Sequence, residues 1–294
     1  MKLPIAAAAI TVLLLGTSAF AATAKKKPPV PPPPPEPVST WTGFYVGANV
    51  GGTWSGNPIN VSTTNLNSCP LPFCSGGPAT AQAAAQGSSG IFSGANGGVI
   101  GGGQFGYNWQ LARIWVAGFE TDIQGMGSRS SGSSSVTAPT VGFPGVAVTT
   151  NLSVSKELDY LGTVRGRLGW LASPAFLVYG TGGLAYGGAR AATNVASTLT
   201  GYGPGVLLTP SAGSSLSQTL IGWTAGGGFE WKATSQWSVK LEYLFYDLGS
   251  ATTISQMVDP LFGFPVPNYF VNNVQTTTRF NGNIVRVGLN YQFH

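Results

Sequence analysis

The chain ends with a regularly alternating stretch, V-R-V-G-L-N-Y-Q-F-H, residues Val285 to His294. Apolar side chains occupy every second position from Val285 to Phe293, and polar or small residues occupy the positions between them. A period of two residues is that of a β-strand, whose successive side chains point to opposite faces of a sheet. The alternation predicts a terminal strand with one apolar face and one polar face.

The composition indicates the surroundings in which such a strand is stable. Charged residues make up 8% of the 294 residues, against about 25% in an ordinary soluble domain. Glycine is abundant, with 43 residues, and aromatic residues make up 11%. Beyond the N-terminus no uninterrupted apolar stretch is long enough for a transmembrane helix. A closed barrel is the remaining lipid-compatible structure, because its strands need apolar side chains only at alternate positions.

The N-terminal residues predict export. Lys2 supplies a positive charge, residues 5–15 form an apolar run, and Ala19-Phe20-Ala21 is a small-x-small cleavage site. This is the pattern of a secretory signal peptide over residues 1–24, with cleavage after residue 21 or after residue 24.

A tail rich in lysine and proline follows over residues 25–40. Proline at this density favours polyproline II conformation, so we expect a disordered periplasmic tail. It either contacts anionic lipid or cell wall, or only keeps the first strand clear of the export machinery. Residues 41–294 remain for the barrel.

From residue 41 the alternation recurs and predicts eight strands, which are joined by three short turns and four long segments rich in glycine and serine. The predicted strands are Gly43–Trp54, Val99–Gln110, Ile114–Met126, Val154–Trp170, Ala175–Gly188, Leu220–Trp231, Trp237–Leu248 and Arg279–Phe293. Each is long enough to cross a bilayer at a tilt, for which about 9–11 residues suffice. Short turns at one end and long loops at the other are typical of bacterial outer-membrane barrels, with both termini at the periplasmic end. The prediction is an all-β, eight-stranded, antiparallel up-and-down transmembrane β-barrel in the outer membrane of a Gram-negative bacterium.

Tryptophans cluster beside the short turns and the termini. They are Trp41, Trp109, Trp115, Trp170, Trp231 and Trp237. Aromatic rings at one level of a barrel form an interfacial girdle at the lipid headgroups. A soluble core with scattered tryptophans does not predict this clustering.

The strand positions opposite the apolar ones carry most charges outside the long segments. These inward positions are Glu120, Asp122, Asp159, Arg165, Arg167, Glu230, Lys240, Glu242 and Arg286. An eight-stranded barrel is just wide enough for side chains to fill, and buried charges need partners. We expect a plugged lumen with a structural charge network; a gate that opens by exchange of ion pairs is the alternative.

Several motifs resemble a known family. They are W-T-G-F-Y-V-G-A-N-V-G-G at Trp41–Gly52, G-Q-F-G-Y-N-W at Gly103–Trp109, F-L-V-Y-G-T-G-G-L-A-Y-G at Phe176–Gly187 and F-E-W-K at Phe229–Lys232. The chain resembles the outer-membrane immunogenic or porin-like small β-barrel proteins of alphaproteobacteria, which have an OmpA-type eight-stranded transmembrane barrel. The resemblance implies a surface barrel with structural, antigenic and sometimes porin-like roles, and no defined substrate.

The last strand is similar to the C-terminal insertion signal of outer-membrane proteins, which is read by the barrel-insertion machinery. The matching positions are Val287, Leu289, Tyr291 and Phe293. His294 departs from the pattern, which usually stops at the aromatic residue, and we interpret it as a tolerated extension.

Two features of the long segments remain open. Cys69 and Cys74 bracket P-L-P-F, and export through an oxidising compartment predicts a small loop disulfide between them. It forms either a rigid surface knob that contacts a receptor or a local staple. The aromatic stretch from Phe262 to Phe270 either binds a partner or packs over the barrel mouth.

Catalysis is not expected. The one histidine, His294, lies at the predicted periplasmic end, far from any outer nucleophile that it could activate. Glycine runs such as residues 101–103 lack the lysine and the strand–helix context of a phosphate loop. We expect no catalytic residues, no cofactor and no metal.

The formal charge of +5 is too small to argue for nucleic acid as a partner. The expected partners are outer-membrane lipid and lipopolysaccharide, the barrel-insertion machinery and a possible surface ligand of the loops. The expected function is that of a structural surface barrel that supports envelope integrity and surface contacts. The alternatives are a narrow porin or ion channel and a loop-mediated adhesin.

Overall fold

A computed structural model of the chain describes residues 40–66, 77–94, 96–201, 209–259 and 270–293. The predicted signal peptide, the tail up to residue 39, the Cys69–Cys74 pair and the aromatic stretch over residues 260–269 lie outside the described residues. Within the described part of the chain, no helix is long and apolar enough to cross a membrane.

Ten strands and one helix make up the described chain. In chain order they are β1 (Gly43–Ser55), β2 (Ile59–Asn65), α1 (Gly77–Gly87), β3 (Gly90–Phe92), β4 (Asn96–Gln110), β5 (Trp115–Pro139), β6 (Ala147–Ser173), β7 (Phe176–Thr200), β8 (Ser211–Lys232), β9 (Trp237–Asp259) and β10 (Phe270–Gln292). All strands belong to one sheet with the order β1-β4-β5-β6-β7-β8-β9-β10-β2-β3, and all pairs are antiparallel.

The terminal strand joins the two ends of the order. β10 pairs with β9 on one side and with β1 on the other, with Val287 opposite Val50 and Leu289 opposite Ala48. The eight strands β1 and β4–β10 therefore form a ring in which every strand has two neighbours. The predicted all-β antiparallel fold is confirmed, and β2 and β3 add two short strands that extend the sheet beyond β10.

A band of apolar side chains covers the outer face of the ring near the short turns. Exposed examples on neighbouring strands are Val50, Ile123, Leu168, Leu184 and Leu241, which are 48–62% exposed. Their inward neighbours on β1, β5, β6 and β9 include the buried polar residues Asn49, Asp122, Arg167 and Lys240, which is the alternation expected of strands that divide lipid from a filled lumen.

The strands continue well beyond this band, which corrects the predicted long loops. β5 to β10 have 22–27 residues each, and only residues 140–146 separate β5 from β6. The segments Gly127–Ser153 and Ala189–Gln218 are therefore mostly strand. Their outward residues are serine, threonine and asparagine rather than apolar, because this part of the sheet stands outside lipid, and the apolar alternation used for the prediction fades there.

Helix α1 lies within this outer half of the ring. It packs against β5 and β6 on one side and against β2 and β10 on the other, and Asn272 Nδ2 donates a hydrogen bond to Ala81 O over 3.0 Å. Ala81, Ala83 and Ala84 are at most 3% exposed and join a core of inward residues that includes Leu152 and Met257. Small side chains let the helix approach the strands closely, so the first long segment, in which no helix was predicted, contributes an apolar plug.

The outer wall has an incomplete seam between β8 and β9. The two strands pair from Trp223–Asp247 to Lys232–Ser238, whereas β8 continues to pair with β7 and β9 with β10. Gly249 has a φ of +81°, a left-handed conformation that favours glycine. This conformation of Gly249 coincides with a register shift between β9 and β10 at Arg279 and Asn281, and such a bulge changes the direction of the strand. Across the seam the hydroxyls of Ser214 and Thr253 meet at 3.1 Å.

We predict a distinct pattern of amide hydrogen exchange along this seam. Every second amide of Ser211–Gly222, and likewise of Leu248–Asp259, should exchange far faster than its neighbours because it faces a strand without a backbone acceptor. Residue-resolved NMR exchange of the refolded protein measures this, with the outer halves of β6 and β7 as the internal control, since they pair over their full length. Uniform protection of both outer segments would contradict an unpaired seam.

Candidate functional site in the barrel interior

The interior next to the apolar band holds a layer of charged side chains. The structure brings together eight of the nine predicted lumen charges, and none of the eight is more than 5% exposed. They are Glu120, Asp122, Arg165, Arg167, Glu230, Lys240, Glu242 and Arg286. Four are acids and four are bases, so this ion layer is neutral as a whole.

Arg165 is the centre of the ion layer. Its guanidinium contacts Glu120 at 2.5 Å, Asp122 at 2.8 Å and Glu242 at 3.0 Å. Glu120 on β5 is its direct cross-strand partner, whereas Glu242 reaches it from β9 across the lumen. A single side chain therefore ties opposite walls of the ring together.

Two further bases share the same carboxylates. Arg286 contacts Glu242 at 2.6 Å and Asp122 at 2.8 Å, and it also donates to Gln124 Oε1 over 3.0 Å. Lys240 Nζ lies 2.7 Å from Glu120 Oε1. Because each carboxylate meets several cations, the layer is a connected network rather than a set of separate pairs.

A second group lies nearer the short-turn end. Arg167 contacts Glu230 at 2.6 Å, and its guanidinium carbon lies 4.1 Å from the centroid of the Tyr179 ring. Glu230 also accepts hydrogen bonds from Ser238 over 2.6 Å and from Asn290 over 2.9 Å. These contacts satisfy the carboxylate in a site that water does not reach.

Two tyrosines of this network were not predicted from the sequence. Tyr45 donates to Glu120 over 2.8 Å and accepts from Arg167 over 3.1 Å, and Tyr179 donates to Glu242 over 3.0 Å. The alternation alone could have found them, since Tyr45 stands between the outward Phe44 and Val46.

Asp159 was predicted to point into the lumen, and this was wrong. It lies on the outer face and pairs with Arg190 at 2.9 Å, with side chains 29% and 61% exposed. The register of β6 shifts between Leu158 and Leu161. This bulge inserts an extra residue, so an alternation counted back from Arg165 assigns Asp159 to the wrong face.

Trp41 was predicted to belong to the outer girdle, and this was also wrong. It is 1% exposed and lies across the short-turn mouth, where its Nε1 donates to Pro174 O over 3.0 Å. Lys232 Nζ lies 4.8 Å from the centroid of its ring and donates to Thr40 O over 2.6 Å. Trp41 precedes β1, so no strand alternation fixes its side, and the cation and the carbonyl hold it inside.

The other predicted positions lie on the outer face. Trp109, Trp115, Trp170, Trp231 and Trp237 are 44–52% exposed beside the short turns. Of the terminal strand, Val287, Leu289 and Phe293 are 48–50% exposed, and the Tyr291 ring packs edge-on against those of Trp237 and Phe293. Their roles as interfacial girdle and insertion signal stay predictions.

The interior is thus filled from end to end. Trp41 covers the short-turn mouth, the ion layer fills the middle, and α1 with its apolar core fills the outer half. A second apolar core, which includes Leu161, Leu244 and Ile284, lies between the ion layer and the core around α1. Within the described residues no group of acids, histidines or cysteines could hold a metal ion. Chemically, the arrangement ties strands together and excludes water.

Removal of Arg165 should destabilise the barrel strongly. The change Arg165→Met leaves Glu120, Asp122 and Glu242 short of a cation, so we expect a loss of about 3–5 kcal/mol in the free energy of unfolding. The matched change Arg190→Met breaks the exposed pair with Asp159 and should cost at most about 1 kcal/mol. Urea unfolding in lipid vesicles measures both, and equal losses would contradict a central role for Arg165.

Comparison of the sequence with known proteins identifies the family of the chain. The model of the outer membrane protein beta-barrel domain matches residues 7–293. The 31 kDa outer-membrane immunogenic proteins of Brucella melitensis and Brucella suis are each 36% identical over 259 residues, which are 87% of this chain and 86% of each relative. A 22 kDa outer membrane protein of Rhizobium leguminosarum is 30% identical over 145 residues, 49% of this chain and 50% of that protein.

Among solved structures, OprG of Pseudomonas aeruginosa is similar with a TM-score of 0.38 at 10% identity, over 86% of this chain and 97% of that one. Neisserial surface protein A has a TM-score of 0.29 at 10% identity, over 86% and 98%. The family assignment rests on the family model and the Brucella relatives, which match residues 7–293 and 87% of the chain, respectively. The chain belongs to the outer membrane β-barrel protein family and is a protein of the Gram-negative outer membrane.

Proposed function

We propose that this protein is a structural surface barrel that supports the integrity of the outer membrane and presents its outer half for surface contacts. The observation that carries the proposal is the filled interior: Trp41, the ion layer and α1 close the lumen at three levels. A barrel whose lumen is filled at these three levels is suited to a structural role in the membrane rather than to the transport of solutes.

The length of the strands supports the second part of the proposal. β5 to β10 extend roughly ten to fourteen residues beyond the apolar band, so the wall rises about 25–35 Å above lipid, at about 3.3 Å per residue and the tilt usual for barrels. The connection between β5 and β6 at its top, residues 140–146, would stand clear of the membrane surface. The Brucella relatives are named as immunogenic, which fits a surface position.

The proposed partners follow from the outer face. The apolar band would contact outer-membrane lipid, and the polar wall above it would contact the sugars of lipopolysaccharide. The terminal strand, which ends in Tyr291 and Phe293, would be read by the barrel-insertion machinery. A surface ligand of the loops, and hence adhesion, is compatible with this arrangement.

A narrow channel is the second candidate, and one observation favours it. Several cations lie close to a further carboxylate besides their direct partners, with Arg286 at 3.6 Å from Glu120, Lys240 at 3.9 Å from Glu242, and Arg167 at 3.9 Å from Glu120. Exchange of partners could open a path without leaving a charge unpaired. It would still have to displace Trp41 and α1, so the closed barrel is preferred. We propose no catalytic role.

Deletion of the protein in the bacterium that produces it should weaken the outer membrane. We expect several-fold higher uptake of an apolar fluorescent dye and greater detergent sensitivity. Wild type should restore the barrier, and so should a variant without residues 67–76, because that change spares the ring. A matched Arg165→Met variant, which destabilises the ring, should restore less. An unchanged barrier in the deletion strain would contradict the proposal.

A further inference from the structure

Lys156 is a buried cation that the ion layer does not include. It lies on the inward face of β6, between the ion layer and the apolar core around α1, and is 3% exposed. Its Nζ donates one hydrogen bond, to Asn57 O, over 3.0 Å. An ammonium group taken out of water without a counter-charge is costly.

Among the described residues, no carboxylate is left for this lysine. Of the chain's nine acidic residues, four are used within the neutral ion layer, and Asp159 and Asp247 pair with Arg190 and Arg279. Glu36 lies outside the described residues, as does the side chain of Asp259. Glu157 follows Lys156 on the strand and points to the opposite face, and among the described residues no carboxylate lies within 4.0 Å of Lys156 Nζ.

The position of the ammonium is built into the fold. Asn57 lies in the joint between β1 and β2, and Gly94 lies in the joint between β3 and β4. A Cβ added at Gly94 would lie 1.5 Å from Asn57 O and 2.9 Å from Lys156 Nζ. Only glycine at position 94 allows the backbone to lie so close to Asn57 O and Lys156 Nζ. The β1–β2 connection, the β3–β4 connection and the lysine therefore meet at one point.

A small cavity of about 10 Å³ adjoins the lysine. Its polar walls come from Ser55, Ser128, Tyr246 and Asn281, together with Lys156 itself and Glu157, its neighbour along the chain. Leu158 and Phe280 complete the lining. Hydroxyl and amide groups can donate hydrogen bonds, as the ammonium does. A space of this size holds one water-sized particle, which limits an anionic occupant to a single atom.

We propose that this pocket binds one halide ion, chloride under ordinary conditions, as the counter-ion of Lys156. The surplus positive charge selects an anion over water, and the size excludes phosphate, sulfate and carboxylates. The ion closes the polar layer beneath α1 and neutralises the interior of the outer half. The inference does not depend on the proposed function.

The first test is the salt dependence of stability. The urea midpoint of the refolded protein should be higher in potassium chloride than in potassium gluconate of equal ionic strength, and the difference should saturate with chloride. Lys156→Met should abolish the difference. Lys232→Met removes the other buried lysine outside the ion layer and should keep the difference. A wild-type midpoint that is the same in both salts would overturn the proposal.

The second test needs no lysine variant. Crystals of the wild-type protein grown in sodium bromide should show an anomalous peak within hydrogen-bond distance of Lys156 Nζ. A water molecule there, with no anomalous signal, would overturn the proposal. Glu157→Gln should retain the chloride effect; if wild type lacks that effect and this variant gains it, Glu157 is the counter-ion instead.

Discussion

The requirement that buried charge be compensated governs this barrel. Arg165 contacts carboxylates from two strands on opposite sides of the ring, at distances of 2.5–3.0 Å, with all side chains out of reach of water. Each carboxylate is held by a second base, so removal of one group leaves its neighbours short of a partner. The register of five strands is therefore tied to one neutral network, and the closed lumen is a consequence of it.

The two halves of the ring have different surroundings, which determine which side chains face outward. Where lipid covers the outer face, apolar side chains point outward and charges point inward; in the outer half serine and threonine point outward and apolar residues enclose α1. Side chains alternate with a period of two residues in both halves, but the apolar positions face outward in the first half and inward in the second. Lys156 lies beyond the ion layer, separated from it by an apolar core that includes Leu158 and Leu161. No carboxylate of the described residues is left to pair with it, which is why a bound anion is expected there.

The sequence predicted the fold because lipid imposes a strong alternation on strands such as Trp237–Leu248. It also predicted eight of the nine lumen charges, since position along a regular strand determines face. The prediction for Asp159 was wrong because a bulge in β6 shifts the alternation of inward and outward residues, and nothing in the local sequence marks that bulge. The prediction for Trp41 was wrong because this residue precedes the first strand. Helix α1 was not predicted because its alanine and glutamine residues differ little in hydrophobicity and therefore show no clear helical periodicity. Its position is determined by tertiary packing.

The most direct test of the closed lumen is single-channel conductance of the refolded protein in planar bilayers, with folding verified by a heat-dependent gel shift. Wild type should be silent across a wide voltage range, because Trp41, the ion layer and α1 block the path in series. The changes Glu120→Gln and Arg165→Gln, made singly, should leave it silent if the barrel remains folded. A steady wild-type conductance that shifts with either change would contradict the account and identify a narrow channel.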